Sequence, residues 1–379
     1  MNKMKVMTVV GTRPEIIRLS RTMALLDEYT NQIIVHTGQN YDYELNQVFW
    51  DDLDLRKPDH FLDVDTSSLG ATVGGIMAKI FPVIVEEKPD AFLVLGDTNS
   101  CLAAYIARRL QVPIFHMEAG NRCFDFNVPE EINRRIIDHI SDYNLVYTEH
   151  ARRHLIAEGL EHRRIYLTGS PMKEVLDYYK SKIDSSNALE ELGLKKREYF
   201  LISTHRQENV DNEGSLRRIL HVLNTLAEKY DVPVIVSTHP RTRKRIEALG
   251  DVHSDDRVKF MKPFGFLDFV YLQMNAKCVI SDSGTISEES SILSFPALSL
   301  RRSMERPEAQ DTGTIILSGL IADDILNSVD AVVKEFETRG GGYEAIPQDY
   351  SITNTSWRVL KLIMGNAKLS GLWYNLREI

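Results

Sequence analysis

The sequence predicts an α/β protein built from two doubly wound, Rossmann-like parallel sheets. Short unbroken apolar runs alternate with amphipathic stretches along almost the whole chain, the βαβ signature. The runs lack polar alternation, as strands covered on both faces require. The alternation comes in two rounds, separated by the polar stretch SKIDSSNALEELGLKKR at 181–197. At 379 residues the chain is too long for one ordinary domain and suits two of roughly 150–200 residues.

In the first round, residues 5–10, 32–37, 91–95, 112–117, 144–147 and 164–168 read as strands, with helices over 14–27, 70–87, 100–110 and 130–140. Pro14 and Pro129 each sit at a helix start, where a missing N–H costs nothing. In the second round the strands fall at 199–204, 232–237, 258–261, 278–281 and 297–300, with helices over 212–230, 241–249, 266–275 and 285–293. The expected domains are 1–172 and 173–364, with a final helix over 365–379 packing back on the first. Such units bind ligands in a cleft at the carboxyl ends of their sheets.

Composition narrows the function. The chain is 43% apolar and 26% charged, with a net charge of −9. That balance lacks the basic footprint of a nucleic-acid binder, yet local cations and helix N-termini can hold a compact anion. No run of the roughly 18–20 apolar residues that span a bilayer is evident, so no membrane partner is expected. The N-terminus reads as a first strand and not as a leader. Cys101, Cys123 and Cys278 show neither disulfide nor metal spacing, which makes a reducing cytoplasm the default. There is no G-x-G-x-x-G after the first strand and no P-loop, which argues against dinucleotide oxidoreductases and P-loop NTPases. His150 and His154 read as a solvated helix face, and no metal site is expected.

Six motifs stand at strand ends. Gly11-Thr12-Arg13-Pro14-Glu15 places Arg13 at a helix N-terminus, either a plain β–α turn or a seat for a phosphate or sugar. Asp97, in Gly96-Asp97-Thr98, is an acid/base group or, read singly and more simply, an N-cap. His116-Met117-Glu118-Ala119-Gly120 follows an apolar strand, and Pro129-Glu130-Glu131-Ile132-Asn133-Arg134 opens a helix whose acids also suit its dipole. Carboxylates from three elements, Asp97, Glu118 and Glu130, meeting in one cleft would outweigh any one of them alone. His205-Arg206 could meet a diphosphate, and His239 repeats the strand-end position, although a lone His there is more often structural. Ser281-Asp282-Ser283-Gly284-Thr285, with Glu288 and Glu289 following, forms either an anion nest or an ordinary capped helix. Glu305-Arg306-Pro307-Glu308 supplies a further cation.

Taken in order, these motifs resemble the non-hydrolysing UDP-N-acetylglucosamine 2-epimerase family from Gly11 to Glu308. The resemblance implies a GT-B-like fold, two Rossmann-type domains facing across a cleft, and a cytoplasmic homodimer that needs no cofactor. It implies Asp97, Glu118 and Glu130 as acid/base groups, with His205 and Arg13 assisting departure of the diphosphate. Ser283 and Gly284 would hold phosphate oxygens and Glu289 the ribose. Arg134 and Arg306 would contact phosphate or fix the carboxylates, and Arg18, Gln39, His239 and Phe266 would be further substrate or UDP contacts. Arg18 stands where the family commonly has Lys. The insert from Asn121-Arg122-Cys123-Phe124-Asp125 through Val128-Pro129-Glu130-Glu131, the segment His36–Asp42 and Ser283-Gly284-Thr285 depart from the commoner pattern. They resemble the UDP-N-acetyl-L-fucosamine synthase branch, which serves capsule or O-antigen synthesis. The alternatives are a UDP-GlcNAc/UDP-ManNAc 2-epimerase and a GT-B glycosyltransferase sharing the architecture and UDP site.

Overall fold

The structure is a computed structural model that describes residues 3–38, 50–204, 206–250, 254–342 and 346–373. The chain divides into two compact units, Met1–Tyr178 with Gln348–Ile379, and Tyr179–Pro347.

The first unit holds β1 (Lys5–Val10), β2 (Asn31–His36), β3 (His60–Phe61), β4 (Ala91–Leu95), β5 (Ile114–Ala119), β6 (Tyr143–Val146) and β7 (Ile165–Leu167). They form one parallel sheet in the order β3-β2-β1-β4-β5-β6-β7. Winding reverses between β1 and β4, which opens a crevice at their carboxyl ends. The strands are largely apolar because helices cover both faces. The helix Leu69–Glu87 buries Ile76, Ile80 and Ile84, spaced one turn apart, against Met7, Val9, Phe92 and Val94.

Four expectations change. β3 is two residues long, too short to show a period. β5 runs to Ala119, not Met117, because a bulge between Met117 and Ala119 lets pairing with β6 resume. Leu69–Glu87 is long and apolar enough to cross a membrane by length and composition, with a mean hydropathy of 1.5; here it is the crossover helix leading into β4. The returning C-terminal segment starts at Gln348 and not at 365, since its helix, Thr355–Trp373, is tied down along its length. Thr355 Oγ1 donates to the Thr168 carbonyl (3.1 Å), Tyr143 Oη to the Asn366 carbonyl (3.0 Å), and Ser370 Oγ to Asp142 (3.0 Å).

The second unit repeats the plan with β8 (Phe200–Ser203), β9 (Val234–Ser237), β10 (Val258–Met261), β11 (Cys278–Ser281), β12 (Ala297–Ser299) and β13 (Ile316–Leu317). The order is β10-β9-β8-β11-β12-β13, all parallel, with its reversal between β8 and β11. Its core packs Ile202, Val236 and Ile280 against Leu216, Leu223 and Leu226 of the helix Glu213–Tyr230.

Candidate active site

In the first unit the turns after β1 and β4 meet at the reversal point. Gly11 has no room for a side chain: a Cβ would lie 2.3 Å from Thr37 Oγ1 and 2.9 Å from Ser100 Cβ. From the helix Arg13–Tyr29, Glu15 reaches back over this turn. Its Oε2 accepts from the Gly11 and Thr12 amides (2.6 and 2.8 Å), and its Oε1 meets Thr98 Oγ1 and Ser100 Oγ (2.5 Å each) beyond β4. Burial pushes this carboxyl above its ordinary range, with the hydrogen bonds from Ser100, Thr98, Gly11 and Thr12 opposing. Sequence reasoning missed Glu15, because an acid in the first turn of a helix already has a reason to be there.

Asp97 does not cap a helix; Thr98 holds that position. Instead Asp97 Oδ2 accepts from Arg134 Nε (2.9 Å) and Nη2 (2.6 Å). Arg134 Nη1 donates to Glu131 Oε2 (3.0 Å), and the Cys123 amide donates to the same oxygen (3.0 Å). Glu131 is the fully buried acid of its motif, and Glu130 is half-buried beside it in the first turn of the helix Pro129–Ile140.

Glu118 lies in the β5 bulge at φ +65°, followed by Gly120 at +81°. A left-handed non-glycine residue costs roughly 1–2 kcal/mol, and such strain gathers at functional sites. Its carboxylate pairs with Arg18, and both are buried. Burial alone would lower the Arg18 pKa, but the acids around it, Glu118 foremost, raise it overall. Gly96 closes against this carboxylate, since a Cβ there would lie 3.1 Å from Glu118 Oε2. The strand ends thus bring Glu118 against the residue that precedes Asp97. Behind them, His116 Nε2 donates to the Gly96 carbonyl (2.9 Å), while its Nδ1 faces Asp138 (2.9 Å). Asp138 also accepts from the Gly120 amide (3.2 Å) and Arg122 Nη1 (2.7 Å). Asp138 carried no motif signal of its own, while Arg122 stood in the 121–125 loop with no partner assigned to it.

In the second unit Asp282 lies at the reversal point, where it accepts from the Arg206 amide (3.1 Å) and Asn209 Nδ2 (2.9 Å). That ties the turn after β8 to the turn after β11. Ser283 Oγ lies 3.0 Å from Thr285 Oγ1. A Cβ on Gly284 would come 2.9 Å from Glu305 Oε1. Two arginines converge on Glu305, Arg301 at 2.5 Å and Arg206 at 3.7 Å, which sets two cations beside the glycine. Arg301 escaped sequence reasoning because it lies four residues before the ERPE motif, just past a plain strand end.

Of the remaining expected residues, Arg13 begins its helix half-buried, and His239 is exposed after β9. Phe266 is buried, its ring edge-on to Tyr179 at 6.4 Å. Glu289 accepts from Gln273 Nε2 (2.7 Å), and Arg306 is buried in an ion pair with Glu288. Gln39 and His205 lie outside the described residues. Among the described residues no His, Cys, Asp and Glu group could hold a metal ion.

The sequence matches the UDP-N-acetylglucosamine 2-epimerase family over residues 25–364. It is 36% identical to the UDP-N-acetylglucosamine 2-epimerase of Methanocaldococcus jannaschii over 340 residues, 88% of this chain and 93% of the relative. A solved UDP-N-acetylglucosamine 2-epimerase from Rickettsia bellii superposes with a TM-score of 0.89 at 46% identity, covering 98% of this chain and all of that one. The M. jannaschii UDP-GlcNAc 2-epimerase in complex with UDP-GlcNAc and UDP gives a TM-score of 0.89 at 32% identity, covering 96% of this chain and 100% of that chain. Two parallel sheets of this order, acids on adjacent strand ends and a match along most of the chain agree: this protein belongs to the UDP-N-acetylglucosamine 2-epimerase family and is an isomerase of UDP-sugars.

Proposed function

We propose that the protein interconverts epimers at carbon 2 of a UDP-activated 2-acetamido sugar by eliminating UDP and adding it back. The observation that carries this reading is the pairing of Glu118 and Asp97 on adjacent strand ends, each with its own arginine and one on strained backbone. The proton on carbon 2 has no neighbouring carbonyl to acidify it. Breaking the bond from carbon 1 to the UDP oxygen develops oxocarbenium character, and a carboxylate then takes the carbon 2 proton. A 2-acetamidoglycal and UDP result. Return of a proton to the opposite face of carbon 2, with UDP re-adding at carbon 1, gives the epimer. Inversion calls for acid/base groups on both faces, and Asp97, Glu118 and Glu130 fill those roles. Arg13, Arg206, Arg301 and His205 offset the charge of the departing diphosphate, while Ser283, Gly284 and Glu289 hold phosphate and ribose.

The substrate in this reading is UDP-2-acetamido-2,6-dideoxy-L-talose, converted to UDP-N-acetyl-L-fucosamine by a cytoplasmic homodimer for capsule or O-antigen synthesis. The departures in the 121–125 loop and at Ser283-Gly284-Thr285 support it. UDP-GlcNAc is the second reading, favoured by the M. jannaschii complex. NMR in deuterium oxide tests both. The right UDP-sugar gains deuterium at carbon 2 and yields its epimer, and a substrate that never exchanges there is rejected.

A further inference from the structure

We infer that Glu15 is a positioning residue for the chemistry at carbon 2, an uncharged carboxylic acid that closes a ring of three oxygens and locks the turn after β1 to the turn carrying Asp97. The inference rests on the reaction proposed above and on a count of protons. Glu15 Oε1 lies 2.5 Å from Thr98 Oγ1 and 2.5 Å from Ser100 Oγ, and those two hydroxyl oxygens lie 2.6 Å from each other. Each separation is that of an O–H···O hydrogen bond and is too short for two oxygens with no proton between them. Two hydroxyls bring two protons, and three contacts need three. The third can come only from the carboxyl, whose other oxygen already accepts from the Gly11 and Thr12 amides.

The surroundings agree. Glu15 is 1% exposed, and its burial favours the neutral acid. Arg18 and Asp97, which share this crevice, are engaged elsewhere, Arg18 with Glu118 and Asp97 with Arg134. A neutral Glu15 also spares the crevice a third negative charge beside two working carboxylates.

Glutamine mimics the neutral acid: its carbonyl accepts both amides and its NH2 donates to both hydroxyls. Glu15→Gln is therefore expected to keep near-wild-type kcat, an unchanged pH profile and full deuterium exchange at carbon 2. Glu15→Ala frees the turns and is expected to lose on the order of 100-fold in kcat, the scale of a misplaced catalytic group. Should Glu15→Ala fail to fold, Ser100→Ala removes one corner of the ring and is expected to lower kcat with KM little changed. A folded Glu15→Gln as inactive as Glu15→Ala overturns the neutral acid, and wild-type kcat in Glu15→Ala or Ser100→Ala overturns the positioning role. Infrared difference spectroscopy at pH 7 decides the protonation state without substrate. A protonated-carboxyl band present in the wild type and missing from Glu15→Gln is expected, and its absence overturns the inference even if the epimerase reading stands. If the wild type never exchanges deuterium, the epimerase reading fails while the infrared band still reports on Glu15.

Discussion

Arg134 sets two nitrogens, at 2.9 and 2.6 Å, on a single oxygen of Asp97. The guanidinium fork fixes the carboxylate in position and direction. Arg134 is itself held by Glu131, which also takes the Cys123 amide, so one arginine couples the acid in the turn after β4 to the loop leading into Glu130.

Arg134→Lys keeps the charge and loses the fork. We expect kcat and carbon 2 deuterium exchange to fall together by roughly 10–100-fold, the scale of a group displaced by about an ångström. UDP affinity, measured by calorimetry, should stay the same. Equal losses in UDP affinity and turnover would show that Arg134 binds the nucleotide instead.

The Arg18–Glu118 pair is buried on both sides, so removing one partner strands the other. Arg18→Met should destabilise the fold by about 3–5 kcal/mol in urea denaturation. The double variant Arg18→Met with Glu118→Leu should recover much of that loss and remain inactive. A double variant no more stable than Arg18→Met would mean that the pair itself is not the source of the loss.

Gly96 combines φ +72° with a contact that a methyl group would turn into pressure on Glu118. Gly96→Ala should cost about 1–2 kcal/mol from the left-handed backbone alone. Its larger effect should be on kcat, because the added carbon displaces the Glu118 carboxylate. Full activity in a correctly folded Gly96→Ala protein would show that this contact is slack.

Most of the strands were legible because a doubly wound sheet writes its buried strands as apolar runs, and the two sheets depend on little else. β3 and β13 escaped because two residues carry no pattern. The strand-end motifs fall in turns that the reversal of winding brings together within each unit, whatever the loops do. Partnerships were not legible. Glu15 reaching Thr98, Arg134 reaching Asp97 and Asp138 facing His116 join residues 83, 37 and 22 positions apart, and only packing decides them. Glu118 illustrates the difference: its place after an apolar run was visible, while its bulge and positive φ came from the pairing of β5 with β6.

In the second unit Gly284 is the test of nucleotide binding. A Cβ there would stand 2.9 Å from Glu305, which anchors both arginines, so Gly284→Ala should push the cluster apart. We expect at least a roughly tenfold weaker UDP affinity by calorimetry, about 1.4 kcal/mol, with the first unit's stability unchanged. Unaltered UDP binding would move the diphosphate away from the turn after β11.

Acid sensitivity should come in part from His36, at the end of β2. Its ring is 1% exposed and stacks on Phe61 at 4.9 Å, and its Nδ1 accepts from the Gly38 amide (3.0 Å). Burial holds its pKa at about 4, below the ordinary 6.5. The unfolded chain therefore binds a proton below pH 6.5 that the native ring refuses until about pH 4. This contribution is full above pH 6.5 and is lost as the pH falls from 6.5 to 4, in total about 3 kcal/mol. Urea denaturation at pH 7.5 and pH 4.5 should show the wild type losing about 2–3 kcal/mol more than His36→Phe over the same interval. Equal losses in the two proteins would mean that the His36 ring takes its proton as readily when folded as when unfolded.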